Sequence, residues 1–229
     1  MPAKHSIKIY VENGYYHIFN RGVEKRIIFE DEQDYDVFVR YLKEYLSPPP
    51  DRVDLLKTFS LRGDSFKGLP TLLKNYEKSI ELFAYCLMPN HFHLLIKQIE
   101  PNAMEGFMRS LATRYSTYFN KRYNRVGKLF QAAYKACIIE NDNYLLYLSR
   151  YIHRNPGEYS NNLANAHSSY GVYLGLRTIP WVKPQFILSF FNQASSDFLK
   201  GYNTYKHFVE ASDLDREAQF ELTEKLILE

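Results

Sequence analysis

The sequence predicts an α+β fold in which an antiparallel sheet is covered by helices. Two observations carry this. Short segments with period-two apolar alternation take turns with longer segments of 3.6-residue periodicity, in the order strand, helix, strand, strand, helix, strand, helix. The two central strands are joined only by the tight pair Pro89-Asn90, so they must run antiparallel. That order is the one of a ferredoxin-like sandwich, an antiparallel sheet with helices on one side.

Each element has a local cause. Tyr15-Tyr16-His17-Ile18-Phe19-Asn20 alternates as a first strand and ends at the turn-prone Asn20-Arg21-Gly22. From Asp31 to Leu46 the apolar positions Tyr35, Phe38, Val39, Leu42 and Tyr45 recur at helical spacing, and Pro48-Pro49-Pro50 stops the helix. Residues 48–78, with Gly63, Gly68 and Pro70 among scattered apolar positions, read as an insertion. Ser79 to Met88 and His91 to Lys97 form the central hairpin. Asn102 to Tyr123 is a long amphipathic helix, Leu129 to Ile139 a further strand, and Asn141 to Asn155 a helix closed by Pro156. The first unit thus spans 1–157. Residues 158–229 form a small helical extension, with a polar connector, Trp181 between two prolines, and helices near Gln185 to Phe191 and Asp213 to Leu228.

Composition narrows the function. A net charge of +3 permits a nucleic-acid partner without requiring one, and the 20 Tyr and 16 Phe, many beside Arg or Lys, favour stacking on bases. Cys86 and Cys137 sit in apolar runs without CxxC spacing, which points to reduced thiols in a cytoplasmic protein. No stretch approaches the roughly 18 apolar residues of a membrane span, and no secretory leader is visible.

The chemistry concentrates in two places. In His91-Phe92-His93, at the start of a strand, the two imidazoles project from one face about 7 Å apart while Phe92 turns to the core. Imidazole is a frequent metal ligand, but two histidines on a strand are equally well satisfied polar residues. In Arg150-Tyr151-Ile152-His153-Arg154-Asn155-Pro156, Tyr151 and Asn155 share one helix face, separated by about 6 Å along the axis. Taken alone, Tyr144, Leu148, Tyr151 and Asn155 describe a core-facing stripe. Tyr147 is a second phenol four residues from Tyr151, which would compete with it in any role of that phenol, and His17 reads as structural. The basic-aromatic helix with Arg109, Arg114, Tyr115, Tyr118, Lys121 and Arg122 is the expected DNA surface, with Arg21 adding phosphate contact.

These pieces together resemble a known family. Tyr16-His17-Ile18-Phe19-Asn20-Arg21-Gly22, Met88-Pro89-Asn90-His91-Phe92-His93-Leu94-Leu95, Gly127-Lys128-Leu129-Phe130-Gln131, Tyr144-Leu145 and Tyr151-Ile152-His153-Arg154-Asn155-Pro156 are similar, in order and spacing, to the single-tyrosine HUH transposases. Ser168-Ser169-Tyr170-Gly171-Val172-Tyr173-Leu174-Gly175 is similar to a stretch of the REP-associated branch. Two features depart from the pattern: the 48–78 insertion is long, and Asn155 stands where some relatives carry glutamine. The resemblance implies Tyr151 as nucleophile, and His91, His93 and Asn155 as ligands of a divalent metal, Mg2+ or Mn2+. It implies cleavage and transfer of single-stranded or hairpin DNA through a 5′-phosphotyrosine, by a monomer or homodimer. The competing reading is a hairpin-binding protein without catalysis.

Overall fold

The computed structural model describes residues 10–51, 54–69, 73–192 and 197–211. Its centre is a four-stranded antiparallel sheet of β1 (Tyr15–Arg21), β4 (Ile80–Met88), β5 (His91–Gln98) and β6 (Lys135–Ile139), in the order β4-β5-β1-β6. A separate exposed hairpin pairs β2 (Lys57–Leu61) with β3 (Asp64–Gly68). Around the sheet lie α1 (Glu32–Leu46), α2 (Ala103–Arg122) and α3 (Asp142–Arg154), followed by α4 (Tyr170–Tyr173), α5 (Gln185–Asn192) and α6 (Tyr205–Glu210). The ferredoxin-like antiparallel sheet with its helical C-terminal extension is therefore present.

The pleat decides which residues face what. On β1 and β5, Tyr16, Ile18, Phe92, Leu94 and Ile96 point to one side and pack with Phe38, Leu42, Phe107, Leu111 and Tyr115 of α1 and α2 in the larger core. The alternate residues point the other way. There Leu95 of β5 and Phe83, Ala84, Cys86 and Met88 of β4 form a second core with Tyr144, Leu148 and Ile152 of α3 and with Tyr170, Tyr173 and Phe208 of the extension. α3 and the described part of residues 158–211 thus share one apolar cluster. A bulge between Leu82 and Ala84 lets β4 serve both cores, because it turns Phe83 and Ala84 to the α3 side while Leu82 and Tyr85 stay on the other.

The sheet departs from the sequence reading at two points. The expected strand from Leu129 pairs only from Lys135 onward; before it, Phe130 makes an isolated bridge to Gly22 and Gln131 N–H donates to Arg21 O at 2.8 Å. Within the insertion, period-two alternation is too short to stand out, yet Arg62 and Gly63, at φ 53° and 93°, make the two-residue left-handed turn that closes a hairpin. The helix expected at Asp213 to Leu228 lies outside the described residues. Cys86 and Cys137 are not joined in a disulfide, and among the described residues no helix is long and apolar enough to cross a membrane.

One buried carboxylate locks α1 onto α2. Asp34 is fully buried; its Oδ1 accepts from Tyr118 Oη at 2.8 Å and Arg122 at 2.7 Å, and its Oδ2 from Tyr123 Oη and Glu30 N–H, both at 2.9 Å. Replacing it with alanine leaves two phenols and a guanidinium facing an apolar void. Asp34→Ala is expected to lower unfolding stability by about 3 kcal/mol or more, read by urea denaturation, while Arg40→Ala at an exposed helix position changes it little.

Candidate active site

The chemistry-bearing residues meet on the α3 side of the sheet. Register sets the first layer, since Arg21 pairs with His91 and Phe19 with His93 across β1 and β5. Paired residues share a face, so His17, Phe19 and Arg21 of β1 stand beside His91 and His93 of β5. The two imidazoles lie edge to face with centroids 5.1 Å apart, closer than their strand spacing because the rings tilt toward each other.

Burial keeps both histidines neutral. Desolvation pushes His91 down to about 4, partly opposed by a hydrogen bond that Asn155 accepts, and takes His93 well below the ordinary imidazole value with help from His17 and His91. Their tautomers are set from behind. The side-chain oxygen of Asn90 can only accept, and it lies 2.6 Å from His91 Nδ1, so Nδ1–H donates and the Nε2 lone pair is left to face the site. His93 Nδ1 lies 2.8 Å from His17 Nε2, both rings wholly buried. When His93 donates there, its Nε2 is likewise the lone-pair nitrogen. His17, read from sequence as structural, therefore backs one of the two histidines directly.

α3 brings the second layer. Asn141 caps it by accepting from Tyr144 N–H, and the helix ends at Asn155. Tyr151 is half-buried, with its ring edge-on to His93 at 5.4 Å and to His17 at 6.3 Å. Tyr147 is buried in the second core instead. One turn beyond Tyr151, Asn155 reaches His91. The helix is held in place by the extension. Arg150 donates to Phe208 O at 2.6 Å and Ala211 O at 2.5 Å, and the buried His153 ring bridges Tyr205 Oη at 2.6 Å and Ser169 Oγ at 2.8 Å. Arg150→Ala, at a 3% exposed position, takes this donor from Phe208 O and leaves Ala211 O to Arg154 alone, and is expected to cost about 2 kcal/mol, seen as a lowered melting temperature.

The residues present suit a divalent ion. Two neutral imidazoles with oriented nitrogens and a carboxamide within reach of one of them make a mixed nitrogen–oxygen donor set. Among the described residues no group of three or more His, Cys, Asp or Glu side chains converges as a metal cluster. Two histidines and an amide are a sparser set than that.

Beside His91 opens a cleft of about 300 Å³, walled by Arg21, Gln131, Lys135 and Tyr159 over Phe19 and Asn90. Arg21 is held there by Gln131 Oε1, 3.2 Å from its guanidinium, and Lys135 Nζ sits 5.2 Å from the Phe19 ring. Gln131 had a signal in sequence as the end of the Gly127–Gln131 motif, and Asn90 as the turn before His91. Lys135 and Tyr159 had none.

The α2 residues lie elsewhere. α2 packs on the opposite face of the sheet, and its arginines and tyrosines have partners inside the protein. Arg109 pairs with Glu105, Arg114 with Glu44 at 2.5 Å while resting on the Tyr41 ring, and Arg122 with Asp31 and Asp34. Tyr118 donates to Asp34. Tyr115 is wholly buried and donates to Ile28 O, so its ring offers no face to a base; here the expectation of a stacking tyrosine is corrected, because the α2 stripe that carries it faces the core. Lys121 is exposed. Of the expected DNA contacts, only Arg21 stands beside the histidines.

Residues 69–155 match the family described as Transposase IS200 like. The matched segment takes in β4, both histidines of β5, α2, β6 and α3 as far as Asn155, whereas His17 and Arg21 of β1 lie outside it. Among solved structures, a REP-associated tyrosine transposase bound to a REP hairpin is similar at a TM-score of 0.47 and 13% identity, over 77% of this chain and 90% of that one. No curated protein matches the sequence.

Proposed function

We propose that this protein cleaves single-stranded DNA and rejoins it through a covalent 5′-phosphotyrosine on Tyr151, as a transposase acting on hairpin or repeat DNA. The observation that carries this reading is the half-buried Tyr151 ring set edge-on against His93, with Asn155 on the next turn of the same helix touching His91. This arrangement supports a nucleophile and ligands that would act on one phosphate from two rigid elements.

His91, His93 and Asn155 would hold a divalent ion, Mg2+ or Mn2+, which when bound draws charge from a non-bridging phosphate oxygen. The protein supplies the rest. Arg21 and Lys135 hold the DNA backbone at the mouth of the cleft, and α3 presents Tyr151 Oη in line with the scissile bond. As the Oη–phosphorus bond forms, the bond from phosphorus to the 3′-oxygen breaks, and that oxygen leaves as a 3′-hydroxyl carrying the proton given up by the phenol. The phosphotyrosine conserves the bond energy, so a 3′-hydroxyl from another strand can attack it in reverse and restore the phenol.

The test uses labelled single-stranded DNA carrying a short hairpin. Binding tighter than to blunt duplex of the same sequence, weakening as salt rises, and accompanied by a protein–DNA adduct is the expected result. Binding without adduct would favour a hairpin-binding protein that does no chemistry, and free cut ends without adduct would favour hydrolysis by activated water.

A further inference from the structure

We propose that Ser169 and His153 are positioning residues for Tyr151: the hydrogen bond between them keys α3 to β4 and so sets the gap between the proposed nucleophile and the histidine pair. This rests on the DNA-cleaving reading above and gives the segment after Pro156 a part in it, away from the reacting atoms. The two ends of the bond fall at the two layers of the site. Ser169 Oγ takes the N–H of Tyr85 on β4 at 2.9 Å, and the next residue, Cys86, pairs with His93. His153 stands between Tyr151 and Asn155, two residues from each. The rest of the contact between α3 and the sheet is apolar, and apolar burial has no direction, so it permits the helix to slide or turn. A buried hydrogen bond of 2.8 Å does not.

The proton positions follow from one end of the network. Ser149 Oγ lies 2.7 Å from Leu146 O, which can only accept, so the single hydroxyl hydrogen of Ser149 sits there. Tyr205 Oη, 3.1 Å from Ser149 Oγ, is then the donor to it. With that hydrogen engaged, Tyr205 Oη accepts from His153 Nδ1 at 2.6 Å. The wholly buried His153 is neutral, held down to about 3 chiefly by desolvation, so it carries one N–H and its Nε2 is a lone pair. Ser169 therefore donates to Nε2 while accepting from Tyr85 N–H. The reverse direction would give up the 2.7 Å bond to Leu146 O and leave Ser169 donating to Tyr85 O at 3.4 Å. Every buried group in the chain is satisfied in one direction only, which fixes the ring's tautomer and orientation. Its two branches differ in reach: Tyr205 ties α3 to α6, which carries none of the site residues, whereas Ser169 ties it to the strand that pairs with His93.

Two substitutions separate the branches. In His153→Gln the carboxamide reaches to about the place of Nε2, where its oxygen accepts from Ser169 and the bond to Tyr205 is lost; in His153→Asn it lies about where Nδ1 does, donates to Tyr205 and loses Ser169. Each keeps one bond of two, so a histidine that served stability alone would lose equally in both. Adduct formation on hairpin-bearing single-stranded DNA is timed at saturating DNA and counted per bound complex, which removes differences in folded fraction. His153→Gln is expected to stay close to the native rate. Ser169→Ala and His153→Asn should be slower by about tenfold or more at unchanged DNA affinity, since a misplacement of about 1 Å can cost on the order of 100-fold. The double variant Ser169→Ala/His153→Asn should be no slower than Ser169→Ala, because both remove the same bond. In a second arm a fluorinated tyrosine is placed at position 151 and its fluorine resonance, which reports how the ring sits against His93, is recorded without DNA. It should move in Ser169→Ala and His153→Asn and hold in His153→Gln. A resonance that holds in all three variants, or rates that fall equally in His153→Gln and His153→Asn, would overturn the positioning role and leave the catalytic reading to the native adduct. The expected resonances with no adduct from the native protein would keep the keyed helix and overturn the catalysis. Neither signal would overturn both.

Discussion

Tyr151→Phe is expected to fold, bind hairpin DNA with unchanged affinity and form no covalent adduct. The substitution removes one oxygen and keeps the ring that packs edge-on to His93 and His17, so neither the second core nor the position of α3 changes. Adduct formation should fall by a factor on the order of 10⁴ or more, the scale seen when a covalent nucleophile is deleted. Tyr147→Phe should retain the adduct, because Tyr147 is buried in the second core whereas Tyr151 is half-buried against the His93 ring. Mass spectrometry of the protease-digested adduct distinguishes them. A nucleotide on the peptide bearing Tyr151 in the native protein, absent in Tyr151→Phe, is the expected result; a nucleotide on any other tyrosine would refute the assignment.

Chelation should abolish adduct formation, and Mn2+ should restore it at least as well as Mg2+. Imidazole is a softer ligand than the all-oxygen shell that Mg2+ prefers, and two of the three proposed ligands are imidazoles. His91→Ala/His93→Ala should lose on the order of 10³-fold or more of the activity and its response to added metal, since the charge withdrawn from the phosphate is worth several kcal/mol. His93 is buried against His17, so the melting temperature of the variant must be measured alongside. His91→Ala alone, at a half-buried position at the start of β5, tests the same point with less disturbance. A double variant fully active in chelator would end the metal assignment.

Much of this was legible along the chain because it depends on local periodicity. The alternation in β1, β4 and β5, the helical stripe of α1 and α3, and the tight turn at Pro89-Asn90 are properties of neighbours in sequence. The spacing His91-Phe92-His93 puts two imidazoles on one face in any extended strand, and Tyr151 with Asn155 on one face in any helix. Less of the insertion and of the run before β6 could be read, since a five-residue strand exposed on both faces leaves no apolar pattern to see.

Periodicity and turn chemistry fix β1, β4, β5 and the helices α1 to α3, with the faces they present and the spacing of the histidine and tyrosine motifs. Only the tertiary structure decided which residues those motifs meet. The register of β1 against β5 brings His17 onto His93 and Arg21 beside His91, pairings separated by about 70 residues of chain. The two phenols Tyr151 and Tyr147 share one face of α3, and only the packing shows Tyr147 buried in the second core and Tyr151 half-buried against His93. For α2 the same rule works in reverse. Its arginines and tyrosines look in sequence like a surface for DNA, but Glu44, Asp31 and Asp34 of the adjoining α1 segment, distant in sequence, already claim them. A side chain's chemical type is written in the chain, whereas its availability depends on what packs against it, and that is settled only when the long-range contacts form.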